Sequence, residues 1–387
     1  MPWSWYFCAR QTGMTRLQSS LVTLCLFSLR SWIDFGLELT AFRDYGLYTQ
    51  AYGMLMLPLA VGSSYKYILY GEGSVDIAAV AVTLNLLSHS LFGIYVMIFT
   101  VTMVTSLTLV QLAFDRSTQG LIVACGRAME VHGKALVVCG WWLVPTLCCY
   151  QYVGGLPWKY EVVNPHSISI VLRKLLSGEV YDYGRGVPYV TMGTLVGIFC
   201  IFIGHIPHSS EVEIAALLEA PHPSEVGNVP METPHPSKVE NSPMESCTTR
   251  RRHIFCTWLA LSFIVSLALF LGRGTFGALY DAIPFHGELE SLRYLNTLHF
   301  LGLLLFGVGT SVALIYVCRF LARISGYTIN QLVVMVMLLG VPVCLSNQSQ
   351  RIASHLTVSE MSEDLRSSMQ LLKEHPIMGR LYGNKHF

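Results

Sequence analysis

The chain has 387 residues, of which 52% are hydrophobic and only 13% are charged, and its mean hydropathy is +0.49. Typical soluble domains carry charge on about 25% of their residues, so this composition excludes an ordinary soluble globular protein. The net charge of +1 excludes the strongly basic surface that binds nucleic acid. The eleven cysteines form no C-x-x-C pair, so neither a redox motif nor a metal site is predicted.

The stretch from Ile77 to Phe114 contains no Asp, Glu, Lys or Arg over 38 residues. A helix needs about 20 apolar residues to cross a hydrocarbon core of roughly 30 Å, so the stretch fits two short consecutive spans. Polar and small residues between Asn85 and Gly93 interrupt it and predict a hairpin there. The chain is therefore predicted to cross a bilayer several times.

Hydropathy predicts an all-α membrane protein, a polytopic helical bundle with about nine transmembrane helices. The predicted spans are residues 17–30, 45–64, 75–91, 92–114, 135–154, 188–206, 254–271, 298–318 and 328–346. Basic residues favour the cytoplasmic side, and the three arginines at 250–252 place the N-terminus inside and the C-terminus outside. The predicted regions are N-terminal helices (1–206), a cytoplasmic linker (207–252), C-terminal helices (253–349) and an extracytoplasmic tail (350–387).

Two segments between the spans have distinctive patterns. The linker contains a tandem 13-residue repeat, PHPSEVGNVPMET (221–233) and PHPSKVENSPMES (234–246). Such a composition buries too little apolar surface to offset the entropy of ordering, so we predict disorder, with a docking motif as the alternative. Residues 168–176 predict a short amphipathic helix on the outer membrane surface.

Ionisable groups at or within a span are energetically costly, which makes them candidates for function. Asp34 and Asp44 lie in the first outside loop and could act as a general base; the alternative is solvated loop charges. His89 lies at the tip of the predicted hairpin and could contact a phosphate or hydroxyl. Its alternative is a neutral histidine bonded to a backbone carbonyl.

A third group of candidates occupies the loop at 271–296. Its candidates for binding a phosphate are Arg273, Arg293 and His286, with His299 just beyond, and those for accepting a proton are Asp281, Glu288 and Glu290. The alternative is a loop whose charges pair with one another. GRGTFG (272–277) matches a dinucleotide-binding pattern but follows a membrane span instead of a strand. We predict that its glycines turn the backbone tightly.

Short motifs recur along the chain in an unusual order. They are FG (35–36), FRDYGLYTQAYGM (42–54), LPLAVG (57–62), LSHSLFG (87–93), WWLVP (141–145), GRGTFG (272–277), IPFHGEL (283–289), HFLG (299–302) and GRLYG (379–383). In these the chain resembles large membrane proteins labelled 6-pyruvoyl-tetrahydropterin synthase-related, which look like membrane glycosyltransferases of the GT-C type. The resemblance covers residues 17–383 apart from the repeat.

The resemblance implies a polytopic helical scaffold with an extracytoplasmic site that uses a polyprenyl-phosphate sugar donor. Such enzymes carry an acidic residue in their first outside loop and a large outside domain. The matched region begins downstream of the family's own first outside loop, so the resemblance does not match Asp34 or Asp44 to that acidic residue. The match stops at residue 383, and a partial chain is therefore expected. The expected partners are the lipid bilayer and a lipid-linked sugar, without nucleic acid. The sequence specifies no cofactor, protein partner or particular membrane.

Three functions stay open from the sequence. The first is a membrane glycosyltransferase or its core. The second is a non-catalytic membrane scaffold or degenerate subunit, which the missing terminal parts favour. The third is a transporter, which would be expected to have inverted repeats and ionisable groups deep in its spans; the sequence shows neither.

Overall fold

Helices make up most of the computed structural model, which describes residues 2–31, 36–37, 48–114, 118–149, 167–203, 243–282, 291–325 and 327–338. Among these residues there is no β-strand, and a single isolated bridge pairs Arg30 with Asp182. The all-α class is therefore confirmed. Residues 207–242 of the predicted linker and the whole tail at 350–387 lie outside the described residues.

The described residues contain eleven α-helices. They are α1 (Pro2–Gln11), α2 (Arg16–Cys25), α3 (Tyr48–Tyr70), α4 (Val75–Ser88), α5 (Ser90–Phe114), α6 (Gln119–Cys148), α7 (Ile168–Leu176), α8 (Tyr189–Phe202), α9 (Pro243–Phe276), α10 (Leu295–Ser325) and α11 (Ile329–Leu338). Short 3₁₀ turns cover Leu26–Ser28, Gly277–Ala282 and Ser291–Tyr294. Helices α1 to α10 belong to one compact unit that ends at Met335.

Four segments of the described chain are long and apolar enough to cross a membrane. They are Ser90–Phe114, Gln119–Cys148, Thr249–Asp281 and Ser291–Ser325, and they fit a membrane-embedded protein. They overlap four of the predicted spans. The other predicted spans overlap α2, α3, α4, α8 and α11, which are shorter or less apolar. Helix α2, with ten residues, is only about 15 Å long, half of a hydrocarbon core.

Local chemistry sets several helix boundaries. Helix α2 begins with a capping box, in which the Thr15 hydroxyl accepts from the backbone N–H of Gln18 and the Gln18 side chain accepts from the N–H of Thr15. The predicted hairpin at 85–93 contains one non-helical residue, His89, with φ −164° and ψ 117°. Helix α7 has the predicted bounds, with Val171 and Leu175 buried.

The glycines of the GRGTFG motif turn the backbone, as predicted. Gly272 has φ 62° and ψ −162°, which kinks the end of α9, and Gly277 has φ 52°. These left-handed values are readily adopted by glycine because it lacks a Cβ. The chain thus leaves the α9 span through two turns before the 3₁₀ segment Gly277–Ala282.

Helix α10 forms the centre of the bundle and α6 forms its margin. Among the 18 most apolar consecutive residues of each segment, 67% are buried in Ser291–Ser325 but only 17% in Gln119–Cys148. Helix α8 contacts α10 through glycines: a Cβ added to Gly197 would lie 2.7 Å from the carbonyl carbon of Leu305, and one added to Gly309 would lie 3.0 Å from the Cα of Gly197. Small residues allow such backbone contact between membrane helices.

Helix α1 was not predicted, because ten residues with mixed polarity give no membrane signal. Trp5 is fully buried, and its ring centroid lies 5.1 Å from that of Phe300 in α10. Cys8 packs against α3, where a Cβ on Gly62 would lie 2.8 Å from the Cys8 Cα. Tertiary contacts thus bury the face of α1 that carries Trp5 and Cys8.

Candidate functional site

His89 connects two apolar helices and is held in place by its own backbone. Its N–H donates to the carbonyl of Asn85 at 3.2 Å, and its carbonyl accepts from the N–H of Phe92 at 2.9 Å. The Phe92 ring packs edge-on against the imidazole, with centroids 5.6 Å apart. The end of α4 and the start of α5 therefore fix the imidazole at one end of both helices.

Arg293 reaches the same region from the 3₁₀ turn that precedes α10. Its guanidinium donates to Gln50 Oε1 of α3 at 3.4 Å. Its backbone carbonyl accepts from Tyr95 Oη of α5 at 2.5 Å and from Asn296 Nδ2 at 3.0 Å. We call Gln50, His89, Tyr95, Arg293 and Asn296 the junction cluster. It unites α3, α5 and α10 at the ends where the predicted outer loops begin.

Several buried polar atoms around the junction cluster have no hydrogen-bond partner among the described residues. They are His89 Nδ1, Ser291 Oγ, Tyr294 Oη, Asn296 Oδ1 and Asn85 Oδ1. A buried donor or acceptor without a partner costs about 1–3 kcal/mol, and most such groups in native proteins are satisfied. Donors and acceptors are thus available here for water or a polar ligand.

Burial and the neighbouring charge of Arg293 lower the pKa of His89 below its usual value. Burial is the larger cause of the lowered pKa, because a charged imidazolium would lose its hydration. The Arg293 guanidinium adds repulsion between like charges. His89 is therefore neutral at pH 7. Its Nδ1, the unpartnered atom, can accept or donate a hydrogen bond according to the tautomer.

His299, predicted as a substrate-binding residue, makes hydrogen bonds within the protein. Its side chain is fully buried. Nδ1 accepts from the N–H of Leu37 at 3.1 Å, and Nε2 donates to the carbonyl of Val180 at 2.9 Å. Both ring nitrogens are thus occupied by backbone groups, so neither is available to a substrate. His299 ties residues 36–37 of the first loop to the segment after α7.

Arg273 and Asp281 pair with each other across the turn after α9. The guanidinium Nη2 donates to Asp281 Oδ2 and Nε contacts Oδ1, both at 3.0 Å. This ion pair agrees with the alternative prediction for the loop, in which its charges pair with one another. Both oxygens of the Asp281 carboxylate are thus already engaged by one arginine.

Five predicted candidates lie outside the described residues: Asp34, Asp44, His286, Glu288 and Glu290. The described part of the first loop is nevertheless tied to the cluster, because Gln50 Nε2 donates to the carbonyl of Gly36 at 3.3 Å. Of the predicted residues, His89 and Arg293 lie close enough for the guanidinium charge to act on the imidazole. Arg273 and Asp281 form a separate pair.

A buried carboxylate, Asp182, was missed by sequence reasoning. Asp182 Oδ2 accepts from the Thr191 N–H at 2.7 Å and from the Thr191 hydroxyl at 2.9 Å, and Oδ1 accepts from Arg185 at 2.9 Å and from the Val190 N–H at 3.3 Å. The Asp182 carboxylate thus accepts hydrogen bonds from backbone N–H groups in the first turn of α8, where the helix itself offers no acceptor. A capping residue is normally sought at the N-cap position itself, which is Pro188 here, and Asp182 lies six residues before it.

The junction cluster combines a cation, a neutral imidazole and uncharged donors at the end of apolar helices. Such a set can hold an anionic oxygen, because arginine offers a planar fork of donors and the low dielectric strengthens each contact. Within the described chain, no group of three His, Cys, Asp or Glu side chains is placed to hold a metal ion. No protein-family model, curated protein or solved structure matches this chain.

Proposed function

We propose that this protein is a multi-pass membrane glycosyltransferase of the GT-C type whose junction cluster binds the phosphate of a lipid-linked sugar. One observation supports this: the charge of Arg293 acts on the imidazole of His89 although the two are distant in sequence, and His89 Nδ1 and Asn296 Oδ1 are buried without described partners. A phosphate at that point would pair with the guanidinium and accept hydrogen bonds. The apolar ends of α4 and α5 would contact the lipid tail.

The proposed reaction is a displacement at the anomeric carbon. A carboxylate removes the proton of the acceptor hydroxyl, the freed oxygen bonds to the anomeric carbon, and the bond from that carbon to the phosphate oxygen breaks. Arg293 and His89 stabilise the departing polyprenyl phosphate. We propose Asp34 as the base, because it precedes Gly36 by two residues and the Gly36 carbonyl bonds to Gln50 of the cluster.

The proposed topology has nine crossings, with the N-terminus in the cytoplasm and the C-terminus outside. Its support is the separation of polar groups along α5. His89 and Arg293 lie at the start of α5, whereas Arg250 and Arg251 line a cavity with Gln111 near its end. The 22 residues from His89 to Gln111 correspond to about 33 Å of helix. The arginines at 250–252 would face the cytoplasm.

Reconstituted full-length protein tests the proposal with a labelled polyprenyl-phosphate sugar, measuring both retention of the donor and transfer to acceptors. Arg293→Gln should weaken donor binding about tenfold or more, since a hydrogen bond to a charged group contributes about 1.5–3 kcal/mol. Asp34→Asn should abolish transfer and leave donor binding intact. Arg273→Gln is the matched control, because its guanidinium is already paired with Asp281. Equal effects of Arg293→Gln and Arg273→Gln would refute the site.

A non-catalytic membrane scaffold is the second candidate, and a specific observation favours it. His299 and the Arg273–Asp281 pair, all predicted as site residues, make contacts within the protein. A scaffold with the same cluster would retain the labelled donor but show no transfer. Donor binding that depends on Arg293, without any product, would support this candidate over the enzyme.

A further inference from the structure

A cavity of about 510 Å³ lies at the other end of α5, away from the junction cluster. Its described lining comes from the ends of α3, α5, α6 and α9. The polar lining residues are Tyr70, Gln111, Gln119, Arg127, Arg250 and Arg251. We call it the arginine cavity. None of its described lining residues is acidic, and three arginines line this open cavity.

Two of the three arginines have partners that the described residues supply. Arg251 pairs with Glu72 at 2.7 Å and lies 4.5 Å from the centroid of the Tyr70 ring. Glu72 also lies 3.9 Å from the Lys66 ammonium, so one carboxylate serves two cations. Arg127 donates to the carbonyl of Ile68 at 3.4 Å, a neutral acceptor. The described lining therefore holds three arginines and no carboxylate, and Glu72 lies beside it as the partner of Arg251.

Gln111 points to a ligand independently of the arginines. Its side chain is only 8% exposed, and its Oε1 has no hydrogen-bond partner among the described residues. The amide lies against Gly120 of α6, where a Cβ would overlap it. Since O and N of an amide can exchange places, Gln111 can either accept a hydrogen bond from a ligand or donate one to it.

The backbone at the end of α3 positions the Arg127 side chain beside the cavity. A Cβ added to Gly71, whose φ is 69°, would lie 2.5 Å from Arg127 Nη2. Glycine at this turn thus leaves room for the guanidinium beside the end of α3. The arrangement of Arg127 opposite Arg250 and Arg251 is set by packing between helices that are far apart in sequence.

Apolar side chains complete the cavity wall. Leu69, Leu107, Val123 and Ile254 lie beside the arginines, so the site has a charged part and an apolar part. Basic pockets between membrane helices suit anionic lipid head groups, and the volume falls in the usual range for ligand sites of roughly 300–1,000 Å³. We infer that the arginine cavity is a phosphate-binding site, distinct from the junction cluster.

The test uses the full chain in nanodiscs of phosphatidylcholine, with two phosphate sources as separate arms. One arm adds phosphatidic acid to the bilayer and counts retained lipid by native mass spectrometry; the other titrates inorganic phosphate and follows thermal stability. Retention of phosphatidic acid identifies a lipid head group, and saturable stabilisation by inorganic phosphate identifies a soluble phosphate. Failure of both probes would overturn the inference.

Variants then locate the binding. The double variant Arg127→Gln with Arg250→Gln should lower affinity for the active probe at least about tenfold. Gln111→Leu should lower it severalfold while leaving the unliganded protein folded, because it removes an amide whose Oε1 makes no hydrogen bond within the described residues. Arg252→Gln makes the same charge change next to the cavity lining and is the control. Equal loss with Arg252→Gln would show general attraction to a basic surface and overturn the site.

Discussion

Replacing Gly197 with alanine tests whether α8 and α10 pack backbone to backbone. The added Cβ would lie 2.7 Å from the carbonyl carbon of Leu305, and the carbonyl oxygen is nearer still. An ordinary contact between carbon atoms needs about 3.5 Å, and a backbone obstacle cannot rotate away. The helices must separate, which typically costs about 1–3 kcal/mol. We expect the upper end of that range for Gly197→Ala.

Gly140→Ala in α6 is the matched control, because a Cβ there meets no atom within 4 Å. Alanine is favoured over glycine within a helix by up to about 1 kcal/mol, so this variant should be neutral or stabilised. The measurement is unfolding in mixed micelles with increasing denaturing detergent, followed by circular dichroism. If both variants unfold at the same detergent fraction, α8 and α10 do not pack backbone to backbone at Gly197.

Three further predictions concern polar groups that hold the fold. Asp182→Asn should destabilise by about 3–5 kcal/mol, because Arg185 loses its buried partner, whereas Glu179→Gln in the more exposed pair with Lys174 should cost about 1 kcal/mol or less. His299→Leu should remove the acceptor of the Leu37 amide, so hydrogen exchange at that amide should accelerate; unchanged protection would contradict its structural role. The pKa of His89 is lowered in the folded state, so as pH falls below about 6.5 the unfolded chain takes up the proton first and stability decreases. His89→Gln should flatten that part of the pH–stability curve, and an unaltered curve would show that His89 does not contribute.

Local patterns in the sequence predicted what local physics controls. A run of 38 uncharged residues requires lipid as its solvent, and the polar interruption at 85–93 contains the break at His89. The bounds of α7 followed from its amphipathic spacing. Glycine at 272 and 277 indicated a turn because few other residues adopt a left-handed backbone easily.

Contacts between distant residues could not be predicted in this way. Nothing local to Arg293 indicates that its charge acts on His89, and nothing local to His299 indicates that Leu37 and Val180 occupy its nitrogens. In the sequence Asp182 stands between Tyr181 and Tyr183, and only the fold places it against the start of α8. Hydropathy and helical period report a residue's own segment, whereas the packing of separate helices decides its partners.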